Sequence, residues 1–232
     1  MNIYLIPLPL AEELPSPILL PQINEVIKQT SYYLVENIRT ARRFVSALQV
    51  GVSVASLHFF ELDGKTTAKQ VEEIFKNIPP NTNVGIMSEA GCPGIADPGA
   101  LAVAYAHQKN WKVVPLIGAS SITLALMASG LNGQSFAFCG YLPIEKAERI
   151  KSIAALEKES AKRNQTQIFI ETPYRNQVLF DELLQNCHPE TKITVAYQLT
   201  TPSEVIKTKT VAAWRKNPMT IDKNPCIFLL LG

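Results

Sequence analysis

Two carboxylate–arginine pairs and one glycine-rich loop are the parts of this 232-residue sequence whose residue types and spacing suit chemistry. Glu36 precedes Arg39, and Glu171 precedes Arg175. Each pair follows a run that reads as a strand, Tyr32 to Glu36 and Gln167 to Ile170. A carboxylate past a strand end suits proton abstraction, and an arginine beside it suits holding a phosphate. The plainer reading of Glu36 with Arg39 is a surface i,i+3 ion pair worth about 0.2–0.5 kcal/mol. Arg39, Arg42 and Arg43 together form either a solvated helix face or a phosphate-binding patch. The loop belongs to the stretch Val84-Gly-Ile-Met-Ser-Glu-Ala-Gly-Cys-Pro-Gly-Ile-Ala-Asp-Pro-Gly99. There a short apolar run meets Gly91, Pro93, Gly94, Pro98 and Gly99, with Glu89 and Asp97 among them.

The glycines at 91, 94 and 99 do not fit G-x-G-x-x-G, and no Lys-Ser/Thr follows, so phosphate cradling is not indicated. Glycine lets a ligand approach the backbone closely, so the loop suits a neutral, extended ligand held by main-chain groups. The alternative is a structural turn packed on its own helix. Glu89 and Asp97 are open to acid–base, hydroxyl-accepting or capping roles. Asp97-Pro98 reads as a helix start, with Asp97 as N-cap and Pro98 at the first helical position.

These groups need strands to carry them and helices to bury the strands. Asn2 to Leu8 reads as a first strand, followed by an extended loop punctuated by Pro7, Pro9, Pro15, Pro17 and Pro21. Helices are expected over Gln22–Gln29 and from Ile38 to a stop at Gly51. A weaker strand is expected over Ser53–Phe59. Thr67-Ala-Lys-Gln70 fits a capping box ahead of Val71, Ile74, Phe75 and Ile78. Lys112 to Leu116 reads as the next strand. This regular alternation argues for a parallel sheet with crossover helices.

Beyond Gly118, Ser120 or Ser121 opens a helix that Gly130 ends. Phe136–Tyr141 is a strand. Glu145–Lys162 is a charged helix with Ile150, Ile153, Ala154 and Leu156 facing inward. Thr172 and Pro173 start a further helix. Lys192–Gln198, Glu204–Thr210 and Cys226–Leu231 are strands, the second alternating as an edge would. The expectation is an α/β protein of two domains, residues 1–115 with a mostly parallel sheet and 116–232 with a mixed one.

Composition narrows the class. Hydrophobic residues make up 47% of the chain, enough for a large core, and a formal net charge of +2 neither requires nor excludes nucleic acid. Cys92, Cys139, Cys187 and Cys226 form no C-x-x-C pair and read as free thiols. His58, His107 and His188 stand apart from metal-ligand spacings, so no metal site is expected. The longest apolar runs fall short of a membrane span, and the start has no signal-peptide pattern, so a soluble cytoplasmic protein is expected.

With these residues in hand, Ser88-Glu-Ala-Gly-Cys-Pro-Gly-Ile-Ala-Asp-Pro-Gly99 resembles the S-D/E-A-G-x-P-x-x-x-D-P-G segment of the tetrapyrrole-methylase-type S-adenosylmethionine methyltransferases, and most closely their ribosomal RNA small subunit methyltransferase I branch. Val113-Val-Pro-Leu-Ile-Gly-Ala-Ser-Ser-Ile-Thr123 resembles V-V-P-L-P-G-x-S-A-x-x. Phe138-Cys-Gly-Tyr-Leu-Pro143 resembles G-F-L-P. Glu171-Thr-Pro-Tyr-Arg175 resembles E-S/R-P-x-R, and Gln198-Leu-Thr200 resembles R-E-L-T. The resemblance implies two α/β domains with a cofactor cleft between them, a homodimer, and methyl transfer from S-adenosylmethionine to a ribose 2′-hydroxyl of small-subunit ribosomal RNA. It implies cofactor contacts from Ser88, Glu89, Ala90, Ile95 and Ala96, then from Ser120, Ser121 and Ile122. Leu142, Tyr197, Pro225 and Cys226 are implied on the second domain.

The departures lie elsewhere. The branch's T-P-I-G-N is here Pro7-Leu-Pro-Leu-Ala11, its E-D-T-R is Glu36-Asn-Ile-Arg39, and its R-E-L-T-K is Tyr197-Gln-Leu-Thr-Thr201. The cofactor wall is therefore better kept than the acceptor side. A hydroxyl acceptor needs its proton removed, for which Glu36 or Glu171 is the expected base, with Arg39 and Arg175 on an RNA phosphate. The alternatives are a methyltransferase on a tetrapyrrole-like or other small acceptor, and a non-catalytic paralogue that binds the cofactor.

Overall fold

The computed structural model describes residues 1–11 and 21–232. The loop prolines Pro15 and Pro17 lie outside the described residues. The chain divides into two compact units, Met1–Ser120 and Ser121–Gly232.

Unit 1 alternates strand and helix: β1 Asn2–Leu5, α1 Pro21–Lys28, β2 Tyr32–Val35, α2 Ile38–Ala47, β3 His58–Glu61, α3 Ala68–Lys76, β4 Val84–Met87, α4 Ala100–Gln108 and β5 Lys112–Pro115. The strands lie in the order β3-β2-β4-β1-β5, and every pair is parallel. All four residues of β4 are buried, as expected of a strand covered on both faces. On one face Ile23, Val26 and Ile27 of α1 join Ala41, Phe44 and Val45 of α2. On the other, Val71 and Phe75 of α3 join Ala102 and Ala106 of α4. Right-handed crossovers require this split, because the chain leaves β1 toward one edge of the sheet and leaves β4 toward the other. The reversal falls between the adjacent strands β1 and β4. Ligands of open α/β sheets bind at such a switch point, beyond the carboxyl ends of the strands.

Unit 2 runs α5 Ser121–Ser129, β6 Phe136–Tyr141, α6 Lys146–Arg163, β7 Thr166–Ile170, α7 Asn176–Asn186, β8 Lys192–Tyr197, β9 Val205–Thr210, α8 Val211–Lys216 and β10 Cys226–Leu231. Its sheet order is β6-β7-β10-β8-β9. Only β6 and β7 are parallel, and β9 is an edge as its alternation suggests. Phe169, Phe180, Trp214 and Phe228 centre one core, with Phe180 edge-on to Trp214 at 5.3 Å.

Several local expectations are corrected. Pro21 does not end the loop but is the first residue of α1, where its missing N–H costs nothing. Leu48 caps α2 and Gln49 turns left-handed (φ 51°), so the helix stops before Gly51. The strand expected over Ser53–Phe59 starts at His58. Ahead of it, Val54–Ser56 is a 3₁₀ turn, because the Ser56 N–H and hydroxyl both donate to the Ser53 carbonyl (3.0 and 2.8 Å). In α6, Ala154 is exposed; the inward stripe is Arg149, Ile153 and Ser160. The capping box at Thr67 forms as expected, with Thr67 Oγ1 accepting from Gln70 N–H.

Candidate functional site

Three loops meet beyond the switch point of unit 1. Pro7–Ala11 follows β1, Ser88–Gly99 follows β4, and Leu116–Ser120 follows β5. Leu8 and Gly91 exchange both backbone hydrogen bonds at 2.9 Å, tying the first loop to the second. The Cys92 thiol donates to the Ala119 carbonyl at 3.3 Å, tying the second to the third. A Cβ on Gly118 would stand 2.1 Å from Pro7 Cγ, so the third loop closes on the first with no room for a side chain. The proline ring cannot swing away, because it is part of the backbone. Gly118→Ala must therefore part the two loops. It is expected to lower unfolding free energy in a urea titration by about 1–3 kcal/mol, the usual cost of overpacking.

Glu36, Ser88, Glu89 and Asp97 come together at this end of the sheet. Ser88 is buried, and its hydroxyl donates to the Ala90 carbonyl at 3.1 Å. The Glu89 N–H donates to Glu36 Oε2 at 3.1 Å. The Thr40 hydroxyl, on the first turns of α2, donates to Glu89 Oε1 at 3.2 Å. Asn37 caps α2 by accepting from the Arg39 and Thr40 N–H groups (2.9 and 3.3 Å), so asparagine serves this cap as an aspartate would. Arg39 is exposed on that first turn. Arg42 lies over the Phe59 ring, 5.4 Å from its centroid, so it packs on the sheet edge.

Asp97 is not the helix cap that Asp-Pro suggests. Gly99, at φ 140°, is the N-cap of α4, and Ala96 at φ 64° turns the chain ahead of it. The Gly94 N–H donates to the Pro98 carbonyl at 3.1 Å and folds the loop back on itself. Asp97 is thereby left half-buried near Glu36 and Glu89. Desolvation pushes its carboxyl up to about 6, the negative charges of Glu36 and Glu89 add to the rise, and the neighbouring Ser88 hydroxyl opposes it. Ile95, half exposed, and Ala96 stand on the outer rim of the same loop. Below that rim is an apolar cavity of about 690 Å³ bounded by Cys92–Ile95, α4 and Pro115–Gly118. A smaller one of about 310 Å³ lies between Leu8–Ala11, α2 and the Glu89-Ala90 step. Both volumes lie within the range of small-molecule sites.

The remaining expected residues belong to the other unit or to the border. Ser120 closes unit 1, and Ser121 and Ile122 open α5, with Ile122 buried. In unit 2, Glu171, Arg175, Tyr197, Pro225 and Cys226 gather at one end of the sheet. Ile170 pairs with Ile227, and Tyr197 with Cys226. Leu142 follows β6 at this end and is buried in the core. The Gln198 N–H donates to the Pro225 carbonyl at 3.0 Å, and Gln198 and Thr200 are left-handed (φ 50° and 68°).

The Glu171 side chain is 1% exposed and takes Arg175 Nη2 at 2.5 Å and the Thr172 N–H at 2.6 Å, both on Oε1. Its Oε2, Arg175 Nε and Asn176 Oδ1 are buried with no protein hydrogen-bond partner. Buried polar atoms are almost always satisfied, so this strand end has capacity for a polar ligand.

Two features escape the sequence reading. One is the placement of Asp97. The other is Arg149, buried at 6% exposure, which holds Glu182 through Nε and Nη2 (2.6 and 2.8 Å) and the Pro143 and Ile144 carbonyls through Nη1 (3.2 and 2.6 Å). That arginine fixes the loop that carries Leu142. Its signal in the sequence is its spacing, four residues before Ile153 on the apolar stripe of α6. Among the described residues no group of histidine, cysteine, aspartate and glutamate could hold a metal ion, and no helix is long and apolar enough to cross a membrane.

No protein-family model matches the sequence. A ribosomal RNA small subunit methyltransferase I from Synechocystis is 28% identical over 180 residues, 78% of this chain and 61% of that protein. One of the same name from Borrelia garinii subsp. bavariensis is 27% identical over 191 residues, 79% of this chain and 81% of that protein. The chain spans about half to three-fifths of the length of several such relatives, 52–61%. Among solved structures, the methyltransferase CobJ superposes with a TM-score of 0.63 at 15% identity, covering 100% of this chain and 93% of its own. At that identity the likeness establishes the fold alone.

Proposed function

We propose that this chain, which has the tetrapyrrole-methylase fold and is related in sequence to the ribosomal RNA small subunit methyltransferase I proteins, is an S-adenosylmethionine-dependent methyltransferase acting on a ribose 2′-hydroxyl of small-subunit ribosomal RNA. The observation that carries the reading is the interlocked three-loop junction at the switch point of unit 1. We further propose a cytoplasmic homodimer.

The residues present fit the cofactor. The loops past β4 and β5 bound the apolar cavity of about 690 Å³, which has room for an extended nucleoside and amino-acid skeleton. In this reading Ser88, Glu89, Ala90, Ile95 and Ala96 hold the cofactor with Ser120, Ser121 and Ile122. In unit 2, taken by itself, Leu142, Tyr197, Pro225 and Cys226 lie at the strand end where the unpartnered Glu171 and Asn176 oxygens offer acceptors to a polar ligand. When bound, the cofactor supplies an electrophilic methyl group on a sulfonium.

The protein's work is alignment, exclusion of water and proton removal. Glu171 is already committed to Arg175 in a buried bond, so we assign that pair to positioning the strand end. The proton acceptor is then drawn from unit 1. Asp97, its carboxyl lifted to about 6, is ionised at neutral pH and still basic enough to take a proton, and Glu36 beside it sustains that basicity. Exposed Arg39 holds the phosphate next to the acceptor ribose.

Glu36→Ala with Arg39→Ala tests the reading. Labelled-methyl transfer to small subunits is expected to vanish, while calorimetric affinity for S-adenosylmethionine stays nearly intact. Transfer at the native rate in the double variant would refute the assignment. RNA as acceptor also predicts a KM that climbs steeply with salt, whereas a small neutral acceptor would leave it nearly flat.

A further inference from the structure

Unit 2 carries an exposed aromatic–cation pair that the cofactor assignment does not use. Tyr174, in the turn between Glu171 and α7, is 76% exposed. The Lys223 ammonium lies over its ring, 5.4 Å from the centroid. Exposed aromatics are common singly, so the support beneath this one matters.

The loop that carries Lys223 is pinned at several points. Asn176 Nδ2 donates to the Asn224 carbonyl at 2.8 Å, and Asn224 Nδ2 donates to the Tyr197 hydroxyl at 2.9 Å. The Asn224 N–H folds back on the Asp222 carbonyl at 2.8 Å, and the Ile221 N–H donates to Gln177 Oε1 at 2.7 Å. Tyr174 is fixed from the other side. Its neighbour Arg175 is held by buried Glu171, and Pro173 limits the backbone. A second exposed tyrosine, Tyr141, ends β6 opposite Ile170, the residue that leads into Glu171.

We propose that Tyr174 and Lys223 form a platform for an unpaired nucleotide of the RNA acceptor, the base stacking on the ring face away from the ammonium and the ammonium meeting the flanking phosphate. The inference rests on the RNA-methyltransferase reading. Its argument is complementarity: single-stranded RNA is held by aromatic faces for stacking and by cations that track the phosphates. Tyr174 supplies the face, Lys223 the charge, and the asparagine bonds fix the backbone on which both side chains stand, which lowers the ordering that binding must offset.

The test is fluorescence anisotropy with a short, unstructured, fluorescein-labelled RNA oligonucleotide over a series of salt concentrations. Tyr174→Ala is expected to weaken binding by about five- to a hundredfold, the range for losing one stacked base. Tyr174→Phe keeps the ring and is expected to bind within about twofold of the parent. Lys223→Ala is expected to lower the slope of log affinity against log salt by about 0.7, the loss of one phosphate contact. Calorimetric affinity for S-adenosylmethionine should be unchanged in all three variants, which also verifies their fold. Native RNA affinity in Tyr174→Ala, or equal losses in the phenylalanine and alanine variants, overturns the platform while leaving the methyltransferase reading intact. Failure of the parent protein itself to bind or methylate RNA overturns both.

Discussion

Replacing Arg149 with alanine is expected to cost unit 2 about 3–5 kcal/mol, the usual loss when one partner of a buried ion pair is removed. Glu182 would be left charged and buried, since the two side chains are only 7% and 6% exposed. The Pro143 and Ile144 carbonyls would lose their donor as well. The guanidinium planar fork matches the Glu182 carboxylate through two parallel bonds, so Arg149→Lys is expected to recover only part of the loss. Arg149→Met with Glu182→Leu removes both charges, and such replacements are often neutral or stabilising. Chemical denaturation of the single and double variants checks this. A double variant no more stable than Arg149→Ala would show that the carbonyl contacts, not the stranded carboxylate, dominate.

Replacing Asp97 with asparagine is expected to raise stability at neutral pH and to destroy activity. The Asp97 carboxyl is lifted from 3.8 to about 6 on folding. The folded state therefore binds more protons than the unfolded state between those values, and the aspartate's contribution to stability falls as pH rises through that window. A displacement of this size in a fully buried group is worth about 3 kcal/mol. Solvent screening at this half-buried position reduces it to about 1 kcal/mol. Asparagine removes the penalty, so the variant and the parent should melt together near pH 4 and separate, with the variant higher, above about pH 6. Scanning calorimetry across that range measures the separation. In transfer assays the parent's rate should rise as pH passes through about 6. The variant should lose that limb and about 10²–10⁴-fold in rate, the usual worth of a positioned base. A variant that keeps the acidic limb would assign it to another group, with Glu36 next in line.

The parts of the fold that were legible were those written in local pattern. Val84–Met87 reads as a buried strand because a short apolar run is bounded by turn residues, and all four residues are indeed enclosed; Thr67 to Gln70 reads as a capping box because both partners lie within one turn. Asp97 misleads for the same reason that those succeed. Asp-Pro is a local signature, but the left-handed turn at Ala96 and the fold-back of Gly94 onto Pro98 move the helix start on to Gly99. Arg149 misleads through its charge: in a helix rich in lysine and glutamate it reads as solvated, and its partner Glu182 is 33 residues away. The carboxylate group of unit 1 is non-local in the same sense, since Glu89 meets Glu36 across 53 residues of sequence. What brings them together is the parallel pairing of β2 with β4, in which Val35 lies opposite Met87. Residues past the ends of paired strands become neighbours, so a reading that places Glu36 and Glu89 past strand ends contains their proximity once the strand order is known.

The proposed methyl transfer to ribosomal RNA is read directly by one measurement. The purified chain is incubated with S-adenosylmethionine labelled on its methyl group and small ribosomal subunits from a strain lacking the corresponding native methylation. The RNA is then digested to nucleosides and the label located. Label on a ribose 2′-oxygen of the small-subunit RNA, absent with Asp97→Asn, is the expected result. Cofactor binding with no label on that RNA, or label confined to a base or to a small-molecule acceptor, would contradict it.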